Sequence, residues 1–160
     1  MSLEEEAVRS LREKGYTITT AESCTGGMIA STLINVAGIS EIYKEGYITY
    51  SNEAKHKLLK VEEEALQKFG AVSREVAFQM AKGAADAAKA EAALAVTGIA
   101  GPDGGTKEKP VGLVYIGCYV MGKVRVTENR FSGDRLMIRQ QTTRKALELL
   151  LDCLFEQDRI

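Results

Sequence analysis

The stretch Ala-Ala-Leu-Ala-Val-Thr-Gly-Ile, residues 92–99, decides the fold of this chain. It has the length of a β-strand, and none of its side chains is charged. Strands of this kind lie at the centre of a sheet whose two faces are both covered. We therefore expect a central strand over residues 92–99, with helices on both sides of the sheet.

The segments next to this strand have the patterns of a helix and of a β-hairpin. Before it, Ser73 has the position of an N-cap for an alanine-rich helix, whose small side chains predict close packing against the sheet. After it, a loop over residues 100–110 leads to two strand-like runs, residues 113–120 and 123–131. Met121-Gly122 between these runs is typical of a hairpin turn.

The rest of the chain alternates between helical and extended patterns. Short β-branched or aromatic runs predict strands over residues 16–20 and 42–50. This alternation is typical of an α/β protein. We expect one domain over residues 1–160, folded as a three-layer α/β/α sandwich whose mixed sheet includes an antiparallel hairpin. Apolar residues at helical spacing predict helices over residues 3–14, 28–36, 52–59, 62–69, 73–90 and 134–155.

Composition argues against several classes of protein. The 160 residues carry 21 Lys and Arg against 22 Asp and Glu, a net charge of -1, and no basic block of the kind that binds nucleic acid. The three cysteines, Cys24, Cys118 and Cys153, form no C-x-x-C pair, and His56 is the only histidine. We therefore expect no disulfide scaffold, no metal site and no mechanism that needs two histidines.

Nothing in the sequence resembles a targeting or membrane segment. The chain begins Met-Ser-Leu-Glu-Glu-Glu, which is not the start of a signal peptide. No apolar stretch approaches the ~20 residues that span a bilayer. We expect a cytoplasmic protein without a membrane or nucleic-acid partner.

A glycine-rich loop follows the expected central strand. Residues 98–107 read G-I-A-G-P-D-G-G-T-K and lack the G-K-[ST] order of a P-loop. Open α/β sheets bind ligands beyond the carboxyl ends of their strands, where the free N–H groups of a turn can hold an anion. The loop is therefore either a ligand-binding element or an ordinary long turn.

A second polar turn, Glu22-Ser23-Cys24-Thr25-Gly26-Gly27, leaves an expected strand and begins a helix. Its hydroxyl and N–H groups would lie at the positive end of the helix dipole and stabilise an anion there. The alternative is simple helix capping by Ser23 or Thr25. Two nucleophiles are adjacent in the turn: Cys24 would need His56 as its base, whereas Ser23 would need a lysine or a carboxylate.

Lys55 is the lysine best placed for such a role. It follows an expected strand end in the segment Tyr50-Ser51-Asn52-Glu53-Ala54-Lys55. To act as a base at pH 7, a lysine must have its pKa lowered from about 10.4 towards 7 or 8, at a cost of ~3 to 5 kcal/mol that burial can impose. The alternative is an exposed lysine without a catalytic role.

Six sequence blocks stand out along the chain. They are T-A-E-S-C-T-G-G (20–27), Y-S-N-E-A-K (50–55), G-A-V-S (70–73), T-G-I-A-G-P-D-G-G (97–105), K-P-V-G (109–112) and F-S-G-D-R (131–135). Taken together, they resemble the CinA C-terminal domain family, which includes stand-alone nicotinamide-nucleotide amidases. They occur in the order of the family and cover nearly the whole chain. A larger amino-terminal domain of many members, associated with ADP-ribose hydrolysis, has no counterpart here, so we do not expect that activity.

The resemblance implies hydrolysis of nicotinamide mononucleotide to nicotinate mononucleotide and ammonia, without a metal or cofactor. It implies Ser23 as nucleophile, Lys55 as general base and Tyr50 as an assisting residue, in a protein that forms a homodimer. A nucleotide-binding or regulatory module without turnover is the alternative function. Residues expected to bind the substrate or its oxyanion are Cys24, Thr25, Gly26, Gly27, Asn52, Gly98, Gly101, Gly104, Gly105, Thr106, Arg135 and Arg139.

Overall fold

The computed structural model describes residues 1–159. A short 3-10 turn at Ile39–Glu41 lies between the helix Met28–Leu33 and the strand Tyr47–Ile48. The helices are α1 (Leu3–Lys14), α2 (Met28–Leu33), α3 (Asn52–Leu59), α4 (Glu63–Phe69), α5 (Arg74–Ala88) and α6 (Arg135–Gln157). The strands are β1 (Ile18–Glu22), β2 (Tyr47–Ile48), β3 (Ala92–Gly98), β4 (Leu113–Val120) and β5 (Lys123–Arg130).

The strands form one sheet in the order β2-β1-β3-β4-β5. β1 pairs in parallel with both β2 and β3, while β4 and β5 continue the sheet as an antiparallel hairpin. β3 lies in the middle, and its residues are buried until Gly98. The expected central strand, mixed sheet and antiparallel hairpin are therefore confirmed.

Helices cover both faces of the sheet. Alternate residues of β3 point to opposite faces, so that Leu94 and Val96 pack with α1, α2 and α6, whereas Ala93 and Ala95 face α5. The α5 face is closely packed: a Cβ on Gly117 would lie 2.8 Å from the carbonyl oxygen of Ala77. This confirms the three-layer sandwich and the role of small residues in α5.

The segment 42–50 differs most from its expected form. Only Tyr47–Ile48 forms a strand, and Tyr43 makes an isolated bridge to Ile18. The Tyr43 side chain packs closely on the segment between this bridge and β2, since a Cβ at Gly46 would lie 1.9 Å from the Tyr43 hydroxyl. That hydroxyl lies 2.8 Å from Thr20 Oγ1, so a side-chain contact joins this segment to β1 where strand pairing is interrupted.

Two other expected elements have different limits. β1 begins at Ile18 rather than at residue 16, because the N–H and hydroxyl of Thr17 both donate to the Glu91 carboxylate. α2 ends at Leu33 rather than at residue 36.

Within residues 1–159, none of the helices combines the length and apolar character that a membrane crossing requires. The same residues contain no group of side chains suited to hold a metal ion.

Candidate active site

A cleft of about 300 Å³ opens at the edge of the sheet where the parallel strands end. The turn after β1, the segment after β2 and the loop after β3 meet there, because parallel strands bring their carboxyl ends to one edge. Residues that the sequence singled out and that line the cleft are Ser23, Cys24, Tyr50, Asn52, Lys55, Gly98, Gly101, Gly104 and Arg135.

The other expected binding residues do not line this cleft: Thr25, Gly26, Gly27, Gly105, Thr106 and Arg139. Thr106 is exposed, and its hydroxyl and N–H both bond to the main chain of Lys109. Sequence reasoning did not single out Thr97 or Asp103, which do line it. Their place at the end of β3 and in the glycine-rich loop was the signal that could have identified them.

Ser23 is held by the sheet itself. It directly follows β1, and its N–H donates to the carbonyl of Val96 at 3.2 Å, which continues the pairing with β3 by one residue. The residue is 9% exposed and lines the cleft. The hydroxyl is therefore presented by a rigid backbone at the edge of the sheet.

Lys55 is buried against this serine. Ser51 caps α3 by accepting a hydrogen bond from the N–H of Ala54, which places Lys55 in the first turns of the helix. Lys55 is 1% exposed, and its Nζ lies 3.2 Å from Ser23 Oγ and donates to the carbonyl of Thr49 at 2.8 Å. Burial lowers the pKa of Lys55 from 10.5, partly opposed by the neighbouring Cys24 thiol.

Thr49 is unusual in its side chain as well. The residue is fully buried, and its Oγ1 has no hydrogen-bond partner among residues 1–159. A buried hydroxyl without a partner destabilises the folded state. The main-chain carbonyl of Thr49 therefore binds Lys55, while the buried hydroxyl of Thr49 lowers the free energy of unfolding.

Tyr50 and Arg135 form the outer wall of the cleft. Arg135 begins α6 behind the Asp134 N-cap, and its guanidinium donates to the Tyr50 hydroxyl at 2.9 Å and to the carbonyl of Gly101 at 2.7 Å. Tyr50 is 60% exposed, and its hydroxyl accepts a hydrogen bond from Arg135 rather than from Lys55 or Ser23. This pair joins α6, the segment after β2 and the glycine-rich loop around one opening.

Arg139 lies one helical turn further along α6 and has a different environment. Its Nε donates to the carbonyl of Cys24 at 2.9 Å, and its Nη2 donates to the carbonyl of Thr25 at 3.0 Å. The guanidinium thus binds two main-chain carbonyls of the turn that follows Ser23. Two left-handed glycines, Gly26 and Gly27, complete this turn before α2 begins.

The cysteine and histidine considered as an alternative pair are not in contact. Burial raises the pKa of the Cys24 thiol to about 11, so the thiol stays protonated at neutral pH. His56 Nδ1 lies 2.8 Å from the carbonyl of Val61, and its Nε2 lies 3.5 Å from Glu63. His56 is absent from the cleft lining, so the geometry favours Ser23 with Lys55.

Fold and site together define an open α/β protein in which a buried lysine contacts a serine at the edge where parallel strands end. The chain belongs to the CinA C-terminal domain family, whose model matches residues 1–154.

Relatives in sequence and structure agree with this membership. A CinA-like protein from Kosmotoga olearia is 56% identical over 149 residues, which is 93% of this chain and 36% of that protein. The chain thus spans about a third of the length of such relatives. The crystal structure of the competence/damage inducible protein CihA from Agrobacterium tumefaciens is 46% identical and superposes with a TM-score of 0.91, over 94% of this chain and 92% of that one. A CinA superfamily protein from Klebsiella pneumoniae has a TM-score of 0.92 at 34% identity, over 98% and 99% of the two chains.

Proposed function

We propose that this protein is an amidase that hydrolyses the carboxamide of nicotinamide mononucleotide to nicotinate mononucleotide and ammonia through a Ser23 acyl-enzyme. The observation that carries the proposal is the 3.2 Å contact between Ser23 Oγ and the buried Nζ of Lys55, whose pKa is lowered. A desolvated lysine beside a serine is a known way to activate the hydroxyl without histidine.

In the first step, Lys55 acts as the general base. A neutral amine that donates one N–H to the carbonyl of Thr49 keeps its lone pair for the Ser23 proton. As the proton moves to Nζ, Ser23 Oγ attacks the amide carbon and the carbonyl oxygen becomes negative. The positive charge on Lys55 then lies close to the reacting centre and attracts this oxyanion.

Main-chain N–H groups at the cleft supply further stabilisation of the oxyanion. Those of Cys24 and Ala100 make no main-chain hydrogen bond among the described residues, whereas the N–H of Ser23 is already bonded to Val96. One such donor is typically worth about 3 to 4 kcal/mol in the transition state.

Collapse of the intermediate releases ammonia. Lys55 returns its proton to the leaving nitrogen, the C–N bond breaks and Ser23 remains as an ester. Water then attacks the ester with Lys55 again as base, which regenerates the serine and releases the carboxylate product.

Charges around the cleft suit the two ends of this substrate. Arg135 supplies a positive charge for the phosphate, and the main chain at Gly104 adds N–H groups. Asp103 contributes a carboxylate that can balance the positive pyridinium ring, and the side-chain amide of Asn52 can bond to a ribose hydroxyl.

Ammonia release from nicotinamide mononucleotide tests the proposal. We expect turnover by the wild-type protein and a loss of at least about 10³-fold in Ser23→Ala, because the nucleophile is removed. Ser31→Ala, an exposed serine of α2, is the matched control and should keep full activity. Equal turnover by Ser23→Ala would contradict the mechanism, and tight binding without turnover by the wild type would favour the ligand-binding module instead.

A further inference from the structure

Glu22, the last residue of β1, is a carboxylate that the proposed reaction does not use. Its side chain is 1% exposed and is absent from the cleft lining. Its Oε1 accepts hydrogen bonds from Thr25 Oγ1 at 2.6 Å and from the N–H of Ile29 at 2.8 Å, while Oε2 accepts from the N–H of Ala30 at 3.0 Å. Among residues 1–159, no basic side chain forms an ion pair with it.

The three contacts share one direction. Each partner donates, and the carboxyl oxygens of Glu22 accept. The N-cap position of α2 is Gly27, which has no side chain to bind the first N–H groups of the helix. Glu22 takes over that task from the neighbouring strand, and its oxygens lie at the positive end of the helix. A buried carboxyl group held in this way fixes the start of α2 relative to β1.

The main chain of Glu22 connects the same residue to the base. Its carbonyl accepts a hydrogen bond from the N–H of Thr49 at 2.9 Å, and the carbonyl of Thr49 accepts from Lys55 Nζ at 2.8 Å. Ser23 is the next residue in the chain. Glu22 therefore touches both the turn that carries the nucleophile and the segment that holds the lysine.

We propose that Glu22 is a positioning residue that keeps Ser23 Oγ within reach of Lys55 Nζ. It does so by binding the turn Ser23–Gly27 through the hydroxyl of Thr25, and the start of α2 through the N–H groups of Ile29 and Ala30, so that both ends of this segment stay fixed to β1. This inference rests on the proposed amidase function, but the geometry that it concerns can be measured without substrate.

Glu22→Gln tests the role with little change in volume. The glutamine side chain carries an amide nitrogen, which is a donor, in place of one carboxyl oxygen. This nitrogen would face a group that now donates to Glu22, so at least one of the three contacts must break. We expect kcat for nicotinamide mononucleotide to fall by about 10²-fold, the cost of a small misplacement of reacting groups. KM should change little, because the residue does not reach the cleft.

Glu91→Gln is the matched control. Glu91 also accepts from a main-chain N–H and a threonine hydroxyl, both of Thr17, but at the opposite end of β3. Both variants should lower Tm, and only Glu22→Gln should lower kcat. Equal kcat in the two variants, with wild-type turnover present, would overturn the positioning role.

Thr25→Val is a second test, for use if Glu22→Gln does not fold. It removes one of the three contacts of Glu22. We expect kcat to fall while KM stays unchanged. An unchanged kcat would overturn the positioning role.

A crystal structure of Glu22→Gln separates this inference from the proposed function. We expect the distance between Ser23 Oγ and Lys55 Nζ to increase beyond hydrogen-bonding range. If the wild type proves inactive, the proposed function fails, yet a lengthened distance still supports the positioning role. An unchanged distance overturns it, whatever the activity.

Discussion

Lys55 Nζ lies 3.2 Å from Ser23 Oγ, although the two residues come from a helix and a turn that follow different strands. The parallel pairing of β1 with β2 brings these segments to one edge of the sheet. Burial of Lys55 then disfavours its charged form and lowers its pKa, so the Ser23 hydroxyl lies beside an amine that holds its proton less tightly than an exposed lysine does.

The pH dependence of turnover should report this lysine. Because only neutral Lys55 can take the Ser23 proton, kcat/KM should rise with pH, and its midpoint should lie below pH 10.5, the ordinary pKa of the side chain. The measurement is ammonia release across pH 6 to 10. An activity that increases only near the ordinary lysine pKa would argue against a desolvated base.

Lys55→Met should abolish turnover and change how stability depends on pH. The pKa of Lys55 is lower in the folded protein than in the unfolded chain, so between the two values the unfolded state binds more protons and wild-type stability rises with pH. Lys55→Met lacks this contribution of the lysine to the pH dependence of stability. The Tm of the variant minus the Tm of the wild type should therefore be highest near pH 7 and decline towards pH 10.5. A difference in Tm that is the same at every pH would contradict the lowered pKa.

Thr49→Val should stabilise the protein. The buried Oγ1 of Thr49 has no partner in the described part of the chain, so its removal should increase the free energy of unfolding by about 1 kcal/mol. Thr142→Val is the control, because the equally buried hydroxyl of Thr142 donates to the carbonyl of Ile138. Urea unfolding should show opposite signs for the two variants; destabilisation by both would mean that Thr49 has a partner in solution.

Arg135→Gln should weaken recognition of the substrate phosphate. Loss of a charge-assisted pair is worth roughly 1.5 to 3 kcal/mol, so KM for nicotinamide mononucleotide should increase by about 10- to 100-fold. KM for nicotinamide riboside, which has no phosphate, should change far less. Arg144→Gln, an exposed arginine of α6 paired with Glu148, is the control. Equal effects on both substrates would assign Arg135 to another part of the ligand.

The cysteines should differ in their reaction with iodoacetamide. A pKa of about 11 and burial protect Cys24, whereas hydrogen bonding to Cys118 lowers the pKa of the partly exposed Cys153. At pH 8 we expect Cys153 to be alkylated first, as followed by peptide mass spectrometry. Preferential labelling of Cys24 would contradict its raised pKa and make its thiol a candidate nucleophile again.

Local patterns predicted those elements whose ends are set by nearby residues. α3 has the expected limits, since Ser51 caps it with its own side chain. The segment 42–50 was predicted less well, because its interrupted pairing involves a contact between Tyr43 and Thr20, which are distant in the chain. The site shows the same limit. Arg139 was predicted to bind the substrate, but its contacts with the carbonyls of Cys24 and Thr25 arise only when α6 packs against the turn.

The sequence by itself determined the α/β class and the central strand, because the absence of charge and the spacing of apolar residues follow from burial on both faces. It also placed Ser23 and Lys55 in segments that follow strand ends, where clefts form. Only the tertiary structure decided that Lys55 is buried, that Cys24 and His56 stay apart, and that Glu22 binds the start of α2. A pKa and a hydrogen bond depend on what surrounds a group in three dimensions, and residues distant in the chain supply those surroundings.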